Sequence, residues 1–248
     1  MRLEQFFQEN PRVAIAFSGG VDSAYLLYTA IKYGAQVKAY FVKTAFQPQF
    51  ELDDANALAA QLGAELQILP VNILSHPEVT ENPADRCYHC KKALFSAILA
   101  AAKADGFPLL LDGTNASDDA SDRPGMQALK ELGVRSPLRE CGLTKDAIRA
   151  LSRQAGLFTH DKPSYACLAT RIPAKDPITA DKLRRTEAAE SYLSSLGLRD
   201  FRIRLLGRSA KLQVTEKDLP TVLQNRDRII PELKQYYDSI LLDLEVRQ

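Results

Sequence analysis

Short apolar runs alternate with longer segments of helical spacing over the first two thirds of the chain. The runs RVAIAF (12–17), QVKAYFV (36–42), ELQILPV (65–71) and FPLLLDG (107–113) predict buried strands. Between them, AYLLYTAIKYG (24–34), DDANALAAQLG (53–63), KKALFSAILAAAKADG (91–106) and TKDAIRALSRQAG (144–156) repeat apolar positions every three to four residues and predict helices. Glycines close them, as is common where a helix ends left-handed. Strict alternation of strand and helix predicts an α/β fold with a doubly wound parallel sheet, and a ligand site beyond the carboxyl ends of its strands.

The periodicity lapses in the stretch containing HDKPSYACLATRIPAKDP (160–177), rich in Pro, Lys and Asp. It resumes with a helix (DKLRRTEAAESYLSSLG, 181–197), strands (DFRIRLL, 200–206, and AKLQVT, 210–215), a long helix (DLPTVLQNRDRIIPELKQY, 218–236) and a strand (SILLDLE, 239–245). The expected organisation is an α/β domain over 1–160, a linker over 161–179 carrying Cys167, and a small α+β domain over 180–248. The small sheet needs cover from its own helices or from a neighbouring subunit.

A length of 248 residues suits this division. Lys and Arg total 32 against 31 Asp and Glu, a formal charge of +1, which counts against nucleic acid or an acidic membrane as partner. No run approaches the ~18 apolar residues of a membrane span, and the N-terminus MRLEQFFQENPR has no signal-peptide core, so the expected location is the cytoplasm. In that reducing compartment the four cysteines are expected to bind metal, react or pack, not to form lasting disulfides.

The loop SGGVDS, Ser18 to Ser23, joins the first strand to the first of these helices. Gly19 and Gly20 let backbone N–H groups converge, the helix end adds partial positive charge, and Ser18 and Ser23 donate hydrogen bonds, a combination suited to pyrophosphate. It lacks the lysine of a Walker A loop, which argues against a γ-phosphate transferase. Asp22 repels phosphate unless Mg²⁺ lies between them. The bland alternative is a tight turn with a capping serine. The motif resembles the SGGxDS loop of the N-type ATP pyrophosphatases (the PP-loop superfamily), which cleave ATP between the α and β phosphates, place AMP on a carbonyl or carboxylate oxygen, and let a nucleophile displace it. The resemblance implies that Ser18, Gly19, Gly20, Asp22 and Ser23 bind ATP, with Asp22 a Mg²⁺ contact. Residues 112–138 also resemble this family in their order of Asp, Gly, Arg-Pro-Gly and the basic Arg135, which implies that Asp112, Gly113 and Arg123 lie near the nucleotide.

RCYHCKK (86–92) places Cys87 and Cys90 three apart at the start of a helical run, both sulfurs on one face, where a helix N-terminus favours thiolates. A CxxC pair alone suits structural zinc, redox chemistry or a cluster. Four-ligand zinc would need partners from Cys141, Cys167, His76, His89 or His160. Three thiolates match an iron–sulfur cluster with one iron left open better. Cys167 is the favoured third ligand, with Arg171 and Lys162 expected nearby to steady a thiolate; Cys141 reads as a loop or packing residue. Inert buried thiols are the plain alternative. On the last domain, Arg202 and Arg204 alternate onto one face of a strand, where guanidinium groups recognise phosphate or carboxylate.

The loop, CYHCKKALF, LDGTN, DRPG, SYACLATRIP, AAESYLSSLG and FRIRL occur in the order seen in LarE-type enzymes, and the resemblance covers nearly the whole chain. Those are ATP-dependent sulfur transferases that build the nickel-pincer nucleotide by adenylating pyridinium-3,5-biscarboxylic acid mononucleotide and replacing the activated oxygen with sulfur. Cys87, Cys90 and Cys167 match the three-cysteine branch, thought to use a [4Fe–4S] cluster; the other branch sacrifices its single reactive cysteine. The resemblance also implies reacting-centre roles for Lys91 and Glu190, substrate contacts from Arg202 and Arg204, and a homohexamer. The sulfur source is unassigned. Alternatives are a tRNA thiolation enzyme, against which the charge balance and lack of an RNA-binding module count, an amidotransferase-type enzyme, for which no glutamine-hydrolysing domain is apparent, and a zinc-stabilised ATP-binding regulator.

Overall fold

A computed structural model describes residues 2–118 and 124–247. The chain forms two compact units, Met1–Ile73 with Asp85–Lys162, and Leu74–Ala84 with Pro163–Gln248. The elements in chain order are α1 (Leu3–Glu9), β1 (Arg12–Ala16), α2 (Val21–Lys32), β2 (Gln36–Lys43), α3 (Gln49–Leu62), β3 (Glu65–Pro70), α4 (Pro77–Thr80), α5 (Arg86–Ala104), β4 (Leu110–Leu111), α6 (Pro124–Glu131), α7 (Pro137–Glu140), α8 (Lys145–Gln154), α9 (Ala180–Ser195), β5 (Phe201–Leu206), β6 (Ser209–Val214), α10 (Leu219–Gln224), α11 (Arg226–Leu233) and β7 (Ser239–Leu242). Among the described residues no helix is long and apolar enough to cross a membrane.

In the first unit a parallel sheet runs in the order β3-β2-β1-β4. β1 is an interior strand, as β2 is, and is buried on both faces. Val13 and Ile15 join a cluster with Phe6, Phe7, Leu26, Leu27, Leu138, Ile148 and Leu157. Ala14, between them in sequence, joins Tyr40, Ile98, Ala102, Phe107 and Leu110 on the other face, where Leu94, Phe95 and Leu99 of α5 pack. This two-sided burial is why RVAIAF reads as a continuous apolar run with no polar alternation. Because β1 pairs with β2 on one side and β4 on the other, the loops leaving β1 and β4 emerge side by side at their carboxyl ends, at a topological switch point.

The expected strand over 107–113 shrinks to Leu110–Leu111. Pro108 has no N–H to give to a ladder, and beyond Leu111 the edge is taken over by Arg135, which accepts from Asp112 N and donates to Leu110 O.

In the second unit β5 pairs antiparallel with β6 through a hairpin turning at Gly207, and β6 pairs parallel with β7. The intervening α10 and α11 replace the single helix expected over 218–236. The break falls at Asn225, which ends one helix and starts the other, its side-chain amide donating to Thr221 O at 2.9 Å. The short segment Leu74–Ala84, expected within the N-terminal domain, belongs with this unit. Its buried Asn82, at φ 56°, donates from Nδ2 to Pro173 O (2.7 Å), Asp176 O (3.1 Å) and Ile172 O (3.4 Å), while its own carbonyl accepts from Lys175 N. Ile178 N closes the junction on Thr80 O.

Asn tolerates the left-handed backbone and supplies the donors, so Asn82→Ala is expected to destabilise the protein by about 2–4 kcal/mol in urea unfolding. Asn82→Gly, which keeps the backbone free but not the donors, should recover part of that loss.

Candidate active site

The loop Ser18–Ser23 closes on itself through its serines. Ser23 Oγ donates to Gly20 O (3.1 Å), accepts from Ser18 N (3.3 Å) and lies 3.1 Å from Ser18 Oγ, so the loop is a rigid bowl around the first turn of α2. Gly19 is left-handed at φ 69°, and a Cβ there would stand 3.2 Å from both Ala55 N and Glu51 O of α3. Glycine is therefore demanded by backbone and by space together. Gly113, leaving β4, is pressed against the same helix start: an added Cβ would fall 2.9 Å from Ser23 N. The two loops of the switch point thus touch through backbone.

The carboxylates of the two loops have different surroundings. Asp112 is buried, with Thr114 Oγ1 and Ser136 Oγ each donating to it at 2.5 Å. That arrangement shapes the loop and leaves Gly113, not the Asp112 carboxylate, against the helix start. Asp22 is half-buried. Its Oδ2 is 2.5 Å from Lys145 Nζ and its Oδ1 accepts from Asn115 Nδ2 at 3.4 Å. Neither Lys145 nor Asn115 was a sequence candidate. Both are held by one seam, in which Ala116 N donates to Leu143 O and Lys145 N to Ser117 Oγ at 3.0 Å. Lys162, expected beside Cys167, instead pairs with Asp54 at 2.6 Å and donates to Gly19 O at 3.4 Å. Arg123 lies outside the described residues. Arg135 is taken up by Glu140 and stacks over Phe6.

The helix α5 begins at Arg86, so the whole of RCYHCKK is helical. Cys87 is exposed and Cys90 partly so, one turn apart on one face, with Arg86 Nη2 at 3.7 Å from Cys87 Sγ. The stem of Lys91 crosses Gly125 of α6, where an added Cβ would meet Lys91 Cδ at 2.9 Å. His89 lies 3.2 Å from Asp85, the residue preceding its helix, and His76 3.2 Å from Glu78. Burial pushes the Cys141 thiol up, and that side chain packs against the main core, as a packing residue would. Among the described residues no group of three or more His, Cys, Asp or Glu is assembled as a metal site.

Cys167 belongs to the second unit, half-exposed at the start of a short 3-10 turn, Leu168–Arg171. Arg171 is fully buried there and forms a fork with Glu190 of α9, Nε to Oε1 at 2.9 Å and Nη2 to Oε2 at 3.0 Å. Its remaining nitrogen donates to Ala166 O (2.7 Å), Thr170 Oγ1 (2.9 Å) and Cys167 O (3.4 Å), so the guanidinium holds the backbone of the cysteine segment, and it lies within electrostatic reach of the Cys167 thiol as expected. Burial opposes the charge on Arg171, but the hydrogen bonds and charge of Glu190 outweigh it and its pKa rises. Glu190 also accepts from Tyr165 OH (2.6 Å) and Ile203 N (2.9 Å). Arg202 lies over the Tyr165 ring and donates to Ser164 O; Arg204 donates to Thr170 O. The two arginines therefore bracket the Cys167 segment. Burial, then the nearby Arg171 and Arg247, push Arg202 down to about 10, which leaves it charged at neutral pH. Arg204 is lowered for the same reasons.

Comparison with known proteins gives these features a setting. The family model described as queuosine biosynthesis protein QueC matches residues 12–83, which include the loop. A pyridinium-3,5-bisthiocarboxylic acid mononucleotide synthase of Lactiplantibacillus plantarum is 32% identical over 94% of this chain and 86% of its own length. The chain belongs to the LarE-type family. An uncharacterized protein of Synechocystis is 37% identical over 98% of the chain and 92% of its own length. The tRNA-specific 2-thiouridylase MnmA of Thermotoga maritima is 29% identical over 61% of the chain and 54% of its own length. As a LarE-type protein the chain is an ATP-dependent sulfurtransferase of the PP-loop superfamily, on the parallel α/β sheet expected of it.

Replacing Glu190 by Gln leaves a buried guanidinium without its counter-charge. Glu190→Gln is expected to cost about 3 kcal/mol in urea unfolding, with faster proteolysis across 164–171.

Proposed function

We propose that this protein transfers AMP from ATP to a carboxylate of pyridinium-3,5-biscarboxylic acid mononucleotide and exchanges the activated oxygen for sulfur, a step in making the nickel-pincer nucleotide. The observation that carries the reading is the near full-length similarity to the bisthiocarboxylic acid mononucleotide synthase. The geometry of the loop supports it. Ser18, Gly19, Gly20 and Ser23 present backbone and hydroxyl donors at the start of a twelve-residue helix, a setting for the pyrophosphate that leaves as AMP is transferred. Gly113 and Asp112 shape the wall beside it, and Arg123 is a further cation for the nucleotide. Asp22 is the carboxylate for Mg²⁺, a hard cation that takes oxygen ligands and bridges phosphates.

A carboxylate oxygen is a poor leaving group, and AMP transfer makes it a good one, after which the acyl carbon accepts a soft sulfur nucleophile. Three cysteines are offered for that role. Cys87 and Cys90, a turn apart at a helix N-terminus and open to solvent in part, suit soft-metal ligation, and Cys167 from the second unit is the third thiolate. With three thiolates a [4Fe–4S] cluster keeps one iron open, and such a cluster would supply renewable sulfur. Arg202 and Arg204 are the cations for an anionic substrate, and Lys91 and Glu190 serve the reacting centre, Glu190 by fixing the cysteine segment through Arg171. In this reading the protein works in the cytoplasm as the homohexamer that the family resemblance implies.

Protein purified without oxygen is expected to carry about four irons per chain, lost in Cys87→Ala. Zinc or no metal would return the CxxC pair to a structural role and leave Cys167 as a one-use sulfur donor. With ATP and the mononucleotide, wild type should release AMP and pyrophosphate and yield thiocarboxylate by mass spectrometry, whereas Cys167→Ala should keep ATP binding and lose sulfur transfer. Unchanged transfer in that variant would sink the proposal. Retention of labelled tRNA at moderate salt, with no thiocarboxylate formed, would favour tRNA thiolation instead.

A further inference from the structure

Two buried guanidinium groups of the second unit share one aromatic neighbour and are neutralised unequally. Arg171 is forked by Glu190, which also accepts from Tyr165 OH and Ile203 N and so is fully engaged. Arg202, equally withdrawn from solvent, has no such fork among the described residues. Its ion-pair contact is Asp200 at 3.6 Å, a carboxylate that Arg247 shares at 3.2 Å. Burial, Arg171 and Arg247 all oppose the charge on Arg202. The group that lies against both cations is the half-buried ring of Tyr165, its centroid 4.4 Å from the guanidinium carbon of Arg171 and 5.0 Å from that of Arg202. The ring is fixed in its turn, because its hydroxyl donates to Glu190 Oε2 at 2.6 Å.

We propose that Tyr165 is a positioning residue for Arg202, holding its guanidinium in place through the ring without neutralising it. The proposal rests on the reading of Arg202 as a cation for the anionic substrate. A carboxylate in the place of the ring would hold the guanidinium more strongly, but it would compete with the carboxylate or phosphate of an incoming ligand. A ring attracts a cation through its quadrupole and carries no net charge, so the positive charge of Arg202 is left for that ligand. Backbone carbonyls do the aiming: Arg202 Nη1 donates to Phe201 O and Nη2 to Ser164 O, the residue before Tyr165. Ring and carbonyl therefore come from consecutive residues. The segment that carries Cys167 two positions on also carries the support of the substrate cation.

Two substitutions separate the ring from its hydroxyl. Equilibrium binding of pyridinium-3,5-biscarboxylic acid mononucleotide, and KM and kcat for pyrophosphate release with ATP, are compared in the full chain for wild type, Tyr165→Phe and Tyr165→Leu. Loss of the ring in Tyr165→Leu should raise the mononucleotide Kd and KM about 3- to 30-fold. Because the ring touches no reacting atom, kcat should change less than about twofold. Tyr165→Phe keeps the ring and loses only the bond to Glu190, so its Kd should stay within about threefold of wild type, a recovery that loss of the hydroxyl alone would not give. Binding of ATP is the check on the fold; if Tyr165→Leu does not fold, Tyr165→Met takes its place. Mononucleotide bound by the ring-less variant as tightly as by wild type would overturn the proposal. So would equal weakening in Tyr165→Phe and Tyr165→Leu, which would make the hydroxyl on Glu190 the part that matters. If wild type itself binds no mononucleotide, the reading of Arg202 as a substrate cation falls, and this proposal falls with it.

Discussion

Val13 and Ile15 of β1 point to one face of the sheet and Ala14 to the other, and each is fully buried. A strand buried on both faces must have helices above and below and paired strands on either side. From this follow the order β3-β2-β1-β4, the adjacency of the loops after β1 and β4, and the approach of Gly113 to Ser23 N. Each apolar side chain lost from such a strand costs about 2–5 kcal/mol, and the same residues position the loop Ser18–Ser23.

Charge is handled locally in both units. In the first, Asp22 at the helix start is balanced by Lys145 and by the Asn115 amide, in a half-exposed position that solvent and ligands reach. In the second, Glu190 and Arg171 are nearly inaccessible, and the carboxylate has four donors from Arg171, Tyr165 and Ile203 N. An exposed pair exchanges partners at small cost, whereas a buried and saturated pair does not. The first arrangement suits binding and release, and the second suits holding a cysteine segment in one conformation.

Some readings rest on local spacing. The CxxC pair is one turn apart on a helix face, and Arg202 and Arg204 both lie at the backbone of the Cys167 segment. Other readings shifted. Lys162 serves Gly19 and Asp54, and Glu190 is engaged by Arg171, a contact its helical periodicity does not reveal. Asn82 was not singled out by any sequence pattern. Its side chain caps carbonyls some ninety residues downstream, which no local pattern encodes.

The sequence by itself determined the alternation of strand and helix, the Gly-Gly loop at a helix start and the spacing of two thiols on one helix, because each depends on neighbours within a turn or a strand. Tertiary structure alone decided which lysine meets Asp22, which carboxylate neutralises Arg171, and that Asp112 is spent on Thr114 and Ser136. Those pairings join residues up to 123 positions apart, and a long flexible cation carries no periodic signature of its partner. Only the folded sheet, by fixing where each loop emerges, selects among the many charges that the chain offers.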